Sequence, residues 1–329
     1  MKFGPVPLKD AVGGVLAHSL QLPSGRLRKG LIIAPEHLDQ LAAAELDEIV
    51  VARLEPGDLA EDAAAERLAR ALLPEPEAAG LRIGRAATGR VNLHATGTGV
   101  LEVDAARIDA VNAIHPMITV ATLRPYQAVA ARSMAATIKI ISYAVPGEAL
   151  DAACAEAGGA LRLRPVRART ATLIETTIGK PPSPKGHRAM RGRLQRMGVE
   201  LGDPVVVPHE TAPLAAAIGN ATSDVVLVLT GSATSDLHDT APEALRAAGG
   251  HVTHFGMPVD PGNLLFFGAL GARPVIGLPG CARSPALNGA DWVLERILCG
   301  VEVTPGDIMG MGVGGLLKEP PSRPRPREG

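Results

Sequence analysis

Three short stretches in the second half of the chain combine small residues, prolines and a few polar side chains in a spacing that suits anion binding. The first is LTGSATSDLHD, Leu229 to Asp239. A run of small side chains lets backbone N–H groups approach an anion, and a helix that starts directly behind it adds partial positive charge. Thr230, Gly231, Ser232, Thr234 and Ser235 are the candidate ligand contacts here, and Asp236 and Asp239 the candidate acids. Thr240 with Glu243 predicts a capping box, which puts Asp239 just outside the helix. There it suits a metal or a ring N–H, and equally a plain interaction with the helix dipole. The second stretch is VDPGN, with Pro261, Gly262 and Asn263. The third is GLPGCARSP, with Pro279, Gly280, Cys281 and Ser284. Ser284 is also a natural helix cap, and Cys281 a natural small core filler.

The elements that must carry these stretches follow a regular alternation from about Arg162. Strands are predicted at Ala168–Thr177, Pro204–Pro208, Val225–Thr230, Val252–Phe255, Leu264–Phe267 and Pro274–Leu278. Helices are predicted at His187–Met197, Thr211–Asn220, Thr240–Ala248 and Pro285–Leu298. Strands separated by helices of about ten residues imply βαβ units and a mostly parallel sheet covered on both faces. The wholly apolar run VVLVL suits a central strand. In such a sheet ligands sit outside the carboxyl ends of the strands, where all three stretches fall. The expected fold class is α/β: a three-layer αβα domain over residues 161–305, preceded by a smaller mixed α+β region over 1–160 and followed by a flexible tail, 306–329. A break near residues 75–80 would divide the first region in two.

That first region alternates short strands and helices. Helices are expected at Pro35–Ala44, Glu61–Leu73, Arg107–Ile114 and Glu148–Ala157, strands at Glu48–Val51 and Thr137–Tyr143, and two strands around a Gly97–Gly99 turn. Asn92, His94 and His115 lie there and receive no role.

Composition removes several function classes. The 329 residues are 46% hydrophobic and 20% charged, enough apolar content for packed cores. Lys plus Arg (33) nearly balance Asp plus Glu (34), and aromatics are only 2%, so neither a basic nucleic-acid footprint nor a stacking platform is present. The three cysteines fit no zinc spacing or disulfide framework. No apolar run reaches the ~18 residues of a membrane span, and the first residues, MKFGPVPLKD, do not read as a secretory signal. A cytoplasmic protein is expected.

The order TGSATSDLHD, MPVDPGN, GARPVIGLPGCARS resembles the cofactor-binding domain of molybdopterin molybdotransferases and gephyrin-like proteins, which carry GGxSxGxxD, MxPGKP and GLPGNPxS at similar intervals. The resemblance spans roughly Arg162 to Gly300. The stretch RKGLIIAPEHLDQLAAAELDEIVVARL is similar, more loosely, to the family segment before that domain. Gly231, Asp239, Pro261, Gly262, Gly277, Leu278, Pro279, Gly280 and Ser284 match. Ser232, Thr234, Asp236, Asn263 and Cys281 depart from the pattern, and Asp260 lies where a basic residue is frequent. Where the family carries TGDE after its first strand, Thr176, Thr177 and Ile178 follow Glu175. The acid that opens the next helix is also absent, with Lys185, Gly186 and His187 in its neighbourhood.

The resemblance implies a molybdopterin-binding protein of molybdenum-cofactor biosynthesis, with the ligand adenylylated or not. An active member would insert molybdate with Mg²⁺ held near Asp239 and Asp236, because acids reach the molybdate anion only through a cation. The missing carboxylates favour a non-catalytic carrier serving a nucleotidyltransferase or a molybdoenzyme, and a gephyrin-like scaffold is the third reading. The basic residues Lys180, Lys185, His187 and Arg188 offer anion contacts, or merely a solvated loop face. A homo-oligomer is expected.

Overall fold

The computed structural model describes residues 1–317. It is a mixed α/β chain in two compact units: residues 1–96, 101–125 and 131–163 make the first, and residues 97–100, 126–130 and the chain from Arg164 onward the second.

The first unit contains an antiparallel three-stranded sheet, in which Glu48–Arg53 lies between Lys2–Pro7 and Val15–Leu16. A second, four-stranded antiparallel sheet runs Ile118–Thr122, Met134–Ile140, Arg90–Ala95, Leu81–Ile83. Helix Glu61–Leu72 turns Ala64, Ala65, Leu68, Ala69 and Leu72 inward, the i, i+3, i+4, i+7 stripe of an amphipathic helix. The two strands expected around the Gly97–Gly99 turn both form, in different sheets. One expectation is corrected. The strand expected at Thr137–Tyr143 starts at Met134 and stops at Ile140, with a bulge between Met134 and Ala136.

The second unit carries a seven-stranded sheet: β1 (Thr170–Thr177), β2 (Glu200–Leu201), β3 (Val205–Pro208), β4 (Val225–Leu229), β5 (His251–Phe255), β6 (Phe266–Leu270) and β7 (Arg273–Leu278). Their order is β2-β1-β4-β7-β6-β5, with β3 also beside β1. Pairings from β2 and β3 through β1 and β4 to β7 are parallel, and β6 pairs antiparallel with both β7 and β5. Helices α1 (Lys185–Arg196), α2 (Thr211–Asn220), α3 (Thr240–Ala247), α4 (Gly289–Leu298) and α5 (Pro305–Met309) complete the unit.

The run VVLVL is buried at all five positions because both its faces are covered. Val225, Leu227 and Leu229 pack with Met190 and Leu194 of α1 and Val293, Leu294 and Leu298 of α4. Val226 and Val228 pack with Leu214 and Ile218 of α2 and Ala241, Ala244 and Leu245 of α3. At about 1.5–3 kcal/mol for each buried Val or Leu side chain, this strand is the main apolar anchor of the sheet.

Three local differences from the sequence reading bear on the site. The helix expected from Pro285 begins only at Gly289, after a 3₁₀ turn at Gly280–Arg283. Asn288 and Asp291 cap α4 reciprocally, which leaves Ser284 to Leu287 as loop. The strand expected at Leu264 begins at Phe266, because Leu265 N–H closes a turn onto Gly262 O. Part of the stretch expected as flexible, residues 306–317, is structured: Thr304 caps α5, and Ile308 and Met311 are buried. The rest of that tail, 318–329, lies outside the described residues. Among the described residues no helix is long and apolar enough to cross a membrane.

Candidate functional site

The parallel register brings the ends of β1, β4 and β7 to one edge: Glu175 pairs with Leu229, and Leu229 with Leu278. β6 runs antiparallel to β7, so the 256–265 connection returns to that same edge. All three small-residue stretches therefore share an edge, but they do different things there.

The first stretch is held by its own side chains. Asp239 is the N-cap of α3, accepting from Thr240 N (2.6 Å), Ser235 N (2.9 Å) and, at 3.4 Å, Ser235 Oγ. The cap is thus Asp239 itself rather than Thr240, one residue earlier than expected. Glu243 faces His238 and Arg246 instead of closing a box. Partial burial pushes the Asp239 carboxyl up, but the Ser235 and Thr240 N–H groups and nearby His209 outweigh it and hold the group below its usual value. Asp236 accepts from His238 N at 2.8 Å. Thr230 and Thr234 are buried, whereas Ser232 and Ser235 are exposed. Gly231 N donates to Thr176 Oγ1 (2.8 Å), which lies 2.8 Å from His209 Nδ1. A Cβ at Gly231 would stand 2.9 Å from Thr176 O, which explains a glycine at this point.

At the acids expected to hold Mg²⁺, each Asp239 oxygen accepts one backbone N–H and one Asp236 oxygen does the same; among the described residues no three His, Cys, Asp or Glu side chains gather as a metal set.

The second stretch is a brace. Pro261 and Gly262 are buried, and Pro261 O accepts Gly289 N (2.8 Å) at the start of α4. Gly262 has φ 151°, outside the range that suits a side chain. Asp260 N–H donates to Gly315 O, Asp260 O accepts Leu317 N–H, and Asn263 Nδ2 donates to Met257 O.

The third stretch builds a cavity. Gly280, Cys281, Arg283, Ser284 and Pro285 face Lys185, Arg188 and Ala189 of α1 across a volume of about 620 Å³. Of the residues singled out from the sequence, Gly280, Cys281, Ser284, Lys185 and Arg188 meet there. The contacts expected from Thr230–Ser235 and Pro261–Asn263 do not line it, and neither does buried Pro279. Lys180 borders a separate cleft of about 540 Å³ with Thr177 and His209. His187 bonds Gly202 O at 3.1 Å.

Several residues that shape the cavity carried no signal in the sequence. Arg283 Nη2 donates to Thr230 O (2.7 Å), tying the third stretch to the first. Arg193, buried within α1, pairs with Asp291 and donates to Ala282 O (3.0 Å) and Ala286 O (2.9 Å), so it clamps the cavity wall from behind. Asn288 Nδ2 reaches Cys281 Sγ at 3.0 Å. Three cations and no acid line the space, so its field selects anions. Glu175 is the buried acid behind it. Burial raises the Glu175 pKa, and Arg283 and His187 oppose the rise.

The family described as Domain of unknown function (DUF8806) matches residues 5–53, a small part of the chain. No curated protein matches. Among solved structures, the molybdopterin biosynthesis MoeA protein of Pyrococcus horikoshii is 16% identical, with TM-score 0.33, covering 91% of this chain and 75% of that one. A second structure, also described as a molybdopterin biosynthesis MoeA protein, from Pyrococcus horikoshii OT3, gives 11% identity, TM-score 0.25, and 92% and 76% coverage. A molybdenum cofactor biosynthesis protein B is 15% identical, TM-score 0.28, covering 40% of this chain and 90% of its own. Likeness this distant carries no argument about function; the sequence motifs and the cavity do.

Proposed function

We propose that this protein binds molybdopterin, adenylylated or not, and serves molybdenum-cofactor biosynthesis. The observation that carries this reading is the cavity in which Lys185, Arg188 and Arg283 face the GLPG-type turn, with Ser284 beside them. A phosphate-bearing ligand of cofactor size suits that volume and charge. The Gly277–Gly280 turn is also the part of the sequence most like the molybdotransferase and gephyrin-like families. The cations hold the anionic end, Ser284 Oγ offers one donor and acceptor, and the Arg193 clamp keeps the wall in place.

Molybdate insertion is the activity of the family that the motifs resemble, and the acids expected to serve it are Asp239 and Asp236. Here Asp239 also caps α3, and Thr176, Thr177 and Ile178 stand after Glu175 where the family carries acids. The missing acids favour the second reading, a carrier that hands bound cofactor to a nucleotidyltransferase or a molybdoenzyme. Assembly as a homo-oligomer is part of the proposal, read by light scattering at micromolar concentration.

The test is calorimetry with molybdopterin and its adenylylated form on the wild type, Lys185→Ala and Arg188→Ala. Each exposed cation removed is expected to weaken binding ten- to a hundredfold, about the effect of one charge-assisted hydrogen bond. Unchanged affinity in both variants would refute the site. The same samples, given molybdate and Mg²⁺ and then an apo-molybdoenzyme, separate transferase from carrier.

A further inference from the structure

Glu175 closes the apolar part of β1, and its side chain is held where no carboxylate is comfortable. The residue is 3% exposed, and Oε1 has no hydrogen-bond partner. A buried oxygen without a donor costs about 1–3 kcal/mol, so the position is occupied against a stability penalty.

Its neighbours connect it to the cavity. Gly186, in the first turn of α1, packs directly on it: a Cβ there would lie 2.8 Å from Glu175 Oε1, 2.7 Å from Leu229 Cδ2 and 3.6 Å from Arg283 Cγ. The Arg283 shaft thus crosses beside the same point before its guanidinium bonds Thr230 O and lines the cavity. Arg283 faces Glu175 from the 3₁₀ turn and His187 from α1. Lys185 and Arg188 flank these on the cavity wall. The paired positions on β3 and β4 are Val206 and Leu229, without charge, and His209 is engaged with Thr176.

We propose that Glu175 couples anion binding in the cavity to the uptake of a proton. Ionised, it offsets the charge of Arg283; protonated, it leaves that charge to the incoming anion. The proton comes from solvent and rests on the Glu175 carboxyl, with no other bond made or broken. By linkage, an anion bound beside Arg283 draws the proton on as strongly as the proton favours the anion. Burial raises the pKa of this carboxyl, against the opposing pull of Arg283 and His187, and so moves the exchange toward neutral pH. The inference rests on the cavity being the anion site proposed above.

Sulfate is the probe, because its charge stays constant over the working range. It is titrated by calorimetry from about pH 5 to about pH 8 in two buffers of different ionisation enthalpy, which counts protons taken up per anion. The wild type and His187→Gln should take up a proton with sulfate and lose up to about tenfold in affinity as pH rises. Glu175→Gln should bind with no proton uptake, at the affinity the wild type shows at low pH. Uptake persisting in Glu175→Gln, or missing in the wild type, overturns the coupling and leaves the anion site standing. Absence of sulfate binding at every pH overturns both. Infrared difference spectra of the wild type keep the question decidable if Glu175→Gln does not fold. A protonated-carboxyl band should grow on adding sulfate, and its absence overturns the proposal.

Discussion

Replacing Arg193 by Met removes the clamp behind the cavity while keeping much of the side-chain volume. Arg193 and Asp291 are each 4% exposed, so their pairing takes place out of water. The substitution strips Asp291 of its cation and leaves Ala282 O and Ala286 O without their guanidinium donors. Asp291 keeps one partner, the Asn288 N–H at 2.9 Å, which limits the damage. Removing one member of a buried pair costs about 3–5 kcal/mol, chiefly through the charge left behind. That is a large share of a typical stability of about 5–15 kcal/mol. Trp292 is the only tryptophan in the chain and adjoins Asp291 on α4, so its fluorescence reports on this unit during urea unfolding. Adding Asp291→Asn to Arg193→Met should restore about 1–2 kcal/mol, because the orphaned charge disappears. Sulfate affinity should fall in the single variant as the wall carrying Arg283 and Ser284 loosens. A loss below about 1 kcal/mol with unchanged sulfate binding would refute the claim that this pair organises the site.

Three further outcomes are expected. Asp239→Ala should cost about 1 kcal/mol, the value of a helix N-cap. Because the folded Asp239 pKa is depressed, its contribution is present above the unfolded value of 3.8 and lost as pH falls toward the folded one; Asp239→Asn should therefore flatten the acid limb of a pH-melting curve. Glu295, on α4, behaves oppositely: burial and Asp291 push its carboxyl up to about 7 from 4.5. The unfolded chain ionises first, so stability falls between those two pH values; Glu295→Gln should gain on the wild type by up to on the order of 3 kcal/mol between pH 5 and pH 8 in denaturant titrations, and a constant difference would disprove it. Gly277→Ala should lose about 1–3 kcal/mol through overpacking, since its Cβ would enter the Phe266 ring, and an unchanged melting temperature would contradict the packing described.

Periodicity made the second unit legible. A run such as VVLVL has no polar face to show, so it demands cover on both sides, and helices of about ten residues between the strands supply it. The end of α2 at Asn220 and the start of α3 at Thr240 fall where the sequence puts them. The start of α4 is easily misplaced because Pro285 is a good first-turn residue. The deciding signal is the weaker-looking Asn288–Asp291 box. The first unit is harder: its strands are short and pair across long separations, as Lys2–Pro7 does with Glu48–Arg53, and local pattern holds no record of such pairing.

The site was legible where backbone chemistry sets it and opaque where tertiary contacts do. Gly280, Cys281 and Ser284 can be chosen from composition, since a Gly/Pro turn leaving a strand must present something at the sheet edge. Arg193 cannot, because in RAMRGRLQRM nothing distinguishes the arginine that faces inward from those that face water. Asp239 is the ambiguous case. Its type and position fit a ligand and a cap equally, and the structure gives both its oxygens to N–H groups within four residues. A carboxylate so placed already serves as a cap, with one N–H on each oxygen. Lys185, Arg188 and Arg283 break few or no hydrogen bonds to meet an anion, which is why the chemistry of this edge is better sought among its cations.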